Sequence, residues 1–187
     1  PTDMQTFAVY VDNKPGVLNR VASLIRRRAF NIESLTVGHT ELEGLSRMTI
    51  VVDTDERGAR LVEANLYKLL SVRRVDNITR VPSIGRDLAL IKVGAAGDAR
   101  TQVMQLVDVY RARIVDVSPE TLVIETTGTE DKIDSLLEVL RPYGVIEMVR
   151  TGRIEMARGS GPGGSVAPSR GIGDGPTRKK DGGALSV

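Results

Sequence analysis

Asn13-Lys14-Pro15-Gly16-Val17-Leu18 lies between a strand-like run (Phe7 to Val11) and an amphipathic stretch (Val17 to Arg28), and Asn31-Ile32 follows that stretch directly. A chain turning from strand into helix at Pro15-Gly16 leaves the first amide N–H groups of the helix without intrahelical acceptors, a ready site for an anion. Pro15 suits the first helical position and biases Lys14 toward extended backbone, which places Lys14 at the capping position. Lysine caps poorly, so the Asn13 amide is left to meet a ligand. Donors from Gly16, Val17 and Leu18 would hold a carboxylate while the Asn13 carbonyl oxygen accepts from an ammonium, which together describe a free amino acid. The same residues also make an ordinary strand-to-helix turn, and spacing alone favours that reading.

Other chemistry is thinly supported. His39 is the only histidine and there is no cysteine, which removes triads, thiol nucleophiles and histidine-rich metal sites. Asp53, Asp55 and Glu56 cluster where a strand gives way to a helix, and acids there favour the helix N-terminus. Met48, Met104 and Met148 fall within apolar periodicity and read as core. In Ser46-Arg47-Met48-Thr49-Ile50, Arg47 is the odd member: either a solvated arginine on a sheet face or one side of an ion pair with a second copy or a partner.

The elements that must position the two asparagines follow from hydropathy. Phe7 to Val11 reads as a strand, and Val17, Leu18, Val21, Ala22, Leu24 and Ile25 recur at helical spacing. Ile32 to Val37 and Met48 to Val52 form two strands joined by the polar loop His39 to Gly44. Leu61, Val62, Leu66, Leu69 and Leu70 make a second helical stripe, and Val72 to Val81 closes the unit. The pattern then repeats. Leu88 to Val93 is a strand, and Asp98 caps a helix carrying Val103, Leu106, Val107 and Tyr110. Ile114 to Val117 and Leu122 to Thr126 pair across Ser118-Pro119-Glu120, and Ile133, Leu136, Leu137 and Leu140 line a helix before the strand Val145 to Val149.

Two β-α-β-β-α-β units with right-handed crossovers predict an α+β fold of two tandem ferredoxin-like domains, over 5–81 and 88–157, joined by a linker at 82–87. Both helices of each unit lie on one sheet face. The other face and one edge are expected to be bare, which invites a homodimer. From 158 to 187 the chain turns to Gly, Ser, Pro and charge, with 9 of the 19 glycines, and reads as a disordered tail.

Composition narrows the function classes. Aromatics are 3% of residues and Trp is absent, which argues against stacking platforms for single-stranded nucleic acid. The net charge of +2 is concentrated late: Arg158, Arg170, Arg178, Lys179 and Lys180 stand against Asp174 and Asp181. Before them the chain is nearly neutral, so no broad basic face for phosphate backbones is expected. Arg26-Arg27-Arg28 and Arg73-Arg74 end predicted elements, where cations complement a helix dipole or serve docking on a partner protein. No apolar run is long enough to span a membrane and no signal region opens the chain, so no membrane role and a cytoplasmic location are expected.

The runs Asn13 to Leu18, Phe30-Asn31-Ile32-Glu33-Ser34-Leu35-Thr36-Val37-Gly38 and Ser46-Arg47-Met48-Thr49-Ile50-Val51 resemble the small, regulatory subunit of acetohydroxyacid synthase. The likeness continues through Leu90-Ile91-Lys92-Val93, Ile114-Val115-Asp116-Val117-Ser118-Pro119, Thr127-Gly128 and Arg150-Thr151-Gly152-Arg153. The first unit is similar to the ACT domain. The resemblance implies a chain with no catalytic residues, metal or cofactor of its own. It implies binding to a catalytic large subunit, the expected carrier of thiamine diphosphate, Mg and FAD, activation of that subunit, and feedback inhibition by valine or another branched-chain amino acid. It places the effector between two ACT domains of a homodimer, at Asn13, Gly16, Val17, Leu18, Asn31 and Ile32.

One departure stands out: Ala29 occupies the position before the aromatic residue where the family usually has glycine, and either a left-handed alanine there is strained by about 1 kcal/mol or the helix ends differently, which would shift Asn31 and Ile32 and alter effector affinity and selectivity more than fold. Asn19, one turn into the first helix, is a second candidate for tuning the pocket. The rival expectations are a free-standing ACT-type amino-acid sensor for another enzyme or a transcription factor, a small nucleic-acid binder, and an independent enzyme.

Overall fold

The computed structural model describes residues 3–160. The expected tail therefore lies outside the described residues except for 158–160. The first unit is β1 (Asp3–Asp12), α1 (Val17–Arg27), β2 (Asn31–His39), β3 (Leu45–Thr54), α2 (Glu56–Leu66) and β4 (Val72–Asn77), in one antiparallel sheet of order β2-β3-β1-β4. The second is β5 (Ser83–Gly94), α3 (Asp98–Val109), β6 (Arg113–Val117), β7 (Thr121–Gly128), α4 (Glu130–Leu140) and β8 (Val145–Arg150), of order β6-β7-β5-β8. A last strand, β9 (Ile154–Ala157), pairs with the first part of β5. This is the tandem ferredoxin-like arrangement that the repeat predicts.

Alternation in β1 explains the first core. Phe7, Val9 and Val11 face the helices and pack with Val17, Val21 and Ile25 of α1, Val62 and Leu66 of α2, and Ile50 and Val52 of β3. In the second unit Ala89, Ile91 and Val93 do the same with Val103 and Val107 of α3 and Ile133, Leu136 and Leu140 of α4. Both cores are aliphatic, as the scarcity of aromatics requires.

Several expectations shift. β4 ends at Asn77 rather than Val81, because Ile78 turns in: its N–H donates to the Thr6 carbonyl at 2.9 Å, and its side chain packs with Ala8 and Tyr10 on the far face of the sheet. Leu45 and Val81 complete that small cluster, so the face expected to be bare is covered by the chain's own next segment. Residues 83–87 of the expected linker are strand, held by β9 through pairs such as Ser83 with Ala157. Asp98 is the first residue of α3, not its cap, which is Gly97. Met104 and Met148 are 46% and 42% exposed, surface positions and not core; Met48 is buried. α2 stops at Leu66, and Leu70 lies beyond it, 96% exposed. Asp55 does cap α2, accepting from the Gly58 N–H at 2.7 Å. Among the described residues no helix is long and apolar enough to cross a membrane.

Candidate functional site

The strand-to-helix turn differs from its expected form in one respect. Pro15 is not in the helix. Lys14 to Val17 form a turn closed by the Val17 N–H on the Lys14 carbonyl at 3.4 Å, with Gly16 at φ 81° and ψ −5°. Those angles belong to the third position of a type II turn, which demands glycine there and favours proline just before it. Gly16 is then the residue capping α1, and its carbonyl accepts the first helical bond, from Arg20 at 3.1 Å. Val17 N–H is therefore spent on the turn. Among the described residues the free first-turn amides are those of Leu18 and Asn19, the latter one residue deeper than spacing suggested.

The loop is anchored at its base. Asp12 N–H donates to Ser71 O and Asn13 N–H to Gly44 O, each at 2.8 Å, which ties three chain segments together at one end of the sheet. The Arg73 guanidinium donates to both Asp12 carboxylate oxygens at 2.6 and 3.0 Å, and that hydrogen bonding, opposed by burial and helped by the charges of Arg73 and Lys14, holds the Asp12 carboxyl below its usual range. The Asn13 side chain is exposed and unpaired among the described residues. Val17 is buried, and Leu18 is exposed.

Asn31 and Ile32 lie elsewhere. Asn31 pairs with Asp53, which pairs with Met4 at the start of β1, whereas Asn13 follows the end of β1. At about 3.3 Å per residue the two asparagines are roughly 30 Å apart along the sheet. Asn31 is exposed and donates to the Glu33 carboxylate, and Ile32 packs against the first core. A single chain thus brings together Asn13, Gly16, Val17 and Leu18, and keeps Asn31 and Ile32 at the opposite end.

Of the two helix endings open to Ala29, α1 takes the strained, left-handed one. Ala29 takes φ 59°; its N–H donates to Arg26 O at 3.0 Å and that of Phe30 to Ile25 O at 3.4 Å. This is a Schellman motif with alanine where glycine is usual. The helix therefore keeps the normal ending, the strain stays at Ala29, and Phe30 still packs on the first core.

Sequence reasoning missed the contact between the units. Ser34 and Thr36 of β2 hold the backbone of Arg153: its N–H donates to Ser34 Oγ, and Thr36 Oγ1 donates to its carbonyl, each at 3.1 Å. Arg47 answers neither expectation. It stacks 5.4 Å from the Tyr10 ring centre, donates to Tyr10 Oη at 2.9 Å, and donates to the Glu155 carbonyl of β9. A cleft of about 430 Å³ beside this contact is lined by residues including Met4, Glu33, Asp87, Glu130, Arg150 and Arg153. The available signal was polar residues at alternate positions of β2 and β3, on the face expected to be bare.

Comparison with known proteins agrees with this architecture unit by unit. Residues 7–74 match the family model described as AHAS small subunit-like ACT domain, and residues 86–159 match that of the small subunit of acetolactate synthase. The chain is 50% identical over 155 residues to the probable acetolactate synthase small subunit of Archaeoglobus fulgidus, covering 83% of this chain and 97% of that one. It is 46% identical over 158 residues to the acetolactate synthase small subunit of Mycolicibacterium smegmatis, covering 84% and 93%. The crystal structure of the small subunit from Thermotoga maritima superposes with a TM-score of 0.80 at 40% identity, over 83% of this chain and 98% of that one. With both units matched and nearly the full length of these relatives spanned, the chain belongs to the family of acetolactate synthase small subunits.

Proposed function

We propose that this chain is a non-catalytic regulatory subunit that activates the catalytic subunit of an acetolactate-forming enzyme and makes it sensitive to a branched-chain amino acid. The thiamine-diphosphate chemistry belongs to the partner. The effector binds between the first units of two copies, with the carboxylate on the Leu18 and Asn19 amides, the ammonium on the Asn13 carbonyl oxygen, and the side chain against Ile32 of the second copy.

The observation that carries this reading is the separation of Asn13 from Asn31 together with the edge position of β2. An antiparallel pairing of β2 with β2 of a second copy, centred on Leu35, sets Asn31 of that copy against His39. His39 is in register with Ser46, and Ser46 with Val11, one residue from Asp12 and the loop. Edge-to-edge pairing of this kind supplies backbone hydrogen bonds that an edge strand otherwise lacks. It also completes each site with the end of β2 that one chain keeps remote. Effector binding then favours one arrangement of the dimer, by no more than its difference in affinity for the alternatives.

Gly16→Asp tests the site. The glycine has open space around it, so the new side chain meets no neighbour, at a cost of about 1 kcal/mol for the left-handed backbone, and brings a carboxylate to the place of the effector's own. Reconstituted with a catalytic subunit, the variant should retain activation and lose inhibition by valine, leucine and isoleucine. Retention of full inhibition by the amino acid that inhibits the wild type would overturn the assignment.

A further inference from the structure

The contact between the two units is polar and specific, and it is attached to the strand that carries Asn31 and Ile32. Residues 151–153 connect β8 to β9 with Gly152 at φ 85°, where a Cβ would lie 2.7 Å from Ser34 Oγ. Only glycine combines that backbone conformation with so close an approach. Arg153 is then gripped by the Ser34 and Thr36 hydroxyls on both its backbone polar groups.

From this grip two arginines lead into the second unit. The Arg153 guanidinium donates to Glu130, in the first turn of α4, at 2.9 Å. Arg150 donates to Asp87 of β5 and Asp134 of α4, each at 2.8 Å. Burial opposes the Arg150 charge, but these two carboxylates outweigh it and hold its pKa above the ordinary value. A displacement of β2 relative to β3 is thereby presented to α4 through paired, directional bonds. A cleft of about 430 Å³ adjoins these groups and is lined by Asp87, Glu130, Arg150 and Arg153 among others.

We propose that Ser34 and Thr36, by clamping Gly152–Arg153, couple the effector-bearing strand to α4 and so transmit the bound state of the first unit to the second. The inference rests on the effector reading above. Ser34 and Thr36 are positioning residues; they touch Arg153, not the effector. Coupling of this kind is a free energy shared by two sites, so it is measured by separating binding from response.

The test is the full-length Ser34→Ala/Thr36→Ala variant with a catalytic subunit. Effector affinity by calorimetry should stay within about threefold of wild type and activation should persist, while maximal inhibition falls by about half or more. Ser34→Thr/Thr36→Ser, which keeps both hydroxyls, should restore inhibition; general loss of structure would instead lower activation and affinity together. Wild-type inhibition in the alanine variant overturns the coupling. If the wild type binds no branched-chain amino acid, the effector reading is what has failed, and the clamp is judged without ligand by hydrogen exchange. The alanine variant should then exchange faster across residues 130–140 as well as across β2, and a change confined to β2 overturns the proposal.

Discussion

The two units share a fold but treat the same loop in opposite ways. In the first, Asp12 and Asn13 donate to Ser71 and Gly44; in the second, Gly94 and Ala95 donate to Gly144 and Glu120 in the same pattern. Asn13 is exposed, whereas its counterpart Ala95 is buried. Three residues after each glycine cap come Asn19 and Arg100. Among the described residues the Asn19 side chain meets only Ser23, whose hydroxyl donates to Asn19 Oδ1 at 3.5 Å. Arg100 folds back onto its loop and donates to the carbonyls of Ala95 at 3.1 Å, Pro119 at 2.7 Å, and Ser118. The second unit thus fills with its own guanidinium the place where the first leaves polar groups open. The effector site proposed above requires this difference, because it needs Asn13 and the first-turn amides of α1 free to meet a ligand.

The opposite faces of the two sheets differ as well. The first is closed by Ile78 and Val81, while Leu88 and Leu90 on the second stay 37% and 38% exposed.

The sharpest way to break the comparison is a matched pair of substitutions. Gly16→Asp should reduce the response to the effector more than about tenfold, whereas Gly97→Asp should leave it unchanged. Gly16 is left-handed, whereas Gly97, at φ 56° and ψ −133°, holds a conformation that side-chain-bearing residues adopt at greater cost, so the melting temperature of each variant is measured beside its response. Loss of response in both would place an effector in each unit. Next in size, Arg100→Ala should destabilise the second unit by about 2 kcal/mol, a drop of roughly 8–16 °C in its melting temperature, because it orphans carbonyls served by a charged donor. Asn19→Ala should stay within about 0.5 kcal/mol and act on effector affinity instead.

A smaller contrast is pH-dependent. The native Asp12 carboxyl lies below its ordinary value, chiefly through the Arg73 hydrogen bond, and Gly94 stands in its place in the second unit. The unfolded chain takes up that proton first, so the stabilisation is complete above about pH 4 and disappears as pH falls through the lower native value. Asp12→Asn should therefore lower the melting temperature at neutral pH and become indistinguishable from wild type in strong acid. A difference that persists there would assign the role to packing. Smallest of all, Ala29→Gly and Arg111→Gly should each stabilise by about 0.5 kcal/mol, relief of the left-handed conformation outweighing the added chain entropy. Arg111 has φ 54° and closes α3 as Ala29 closes α1, through Arg111 N–H to Asp108 O at 3.0 Å and Ala112 N–H to Val107 O at 2.9 Å. Unequal gains would show that the two helix ends differ in strain.

Local pattern carried the element order, since period-2 runs such as Phe7 to Val11 and helical stripes such as Val17, Val21 and Ile25 bury the faces they suggest. What it could not carry was non-local. β9 is defined by partners about 70 residues away, through pairs such as Ser83 with Ala157, and nothing near either strand announces the match. Ile78 and Val81 read as a continuation of β4 because their apolarity is real, but it serves another face of the sheet. In the turn, Pro15 was consistent with two placements, inside the helix or in a type II turn, and only the positive φ of Gly16 separates them. The Ser34 and Thr36 clamp left only the weak sign of polar residues at alternate positions, which exposed strands carry routinely.

The distance of roughly 30 Å between Asn13 and Asn31 along one sheet has a quantitative consequence. On the reading proposed here a lone chain holds no receptor, only two unrelated halves of one. Apparent sensitivity to the amino acid should then follow the abundance of the subunit itself, weakening on dilution and returning on concentration at constant ligand. A cell that changed how much of this chain it makes would retune its feedback set-point without altering a single residue.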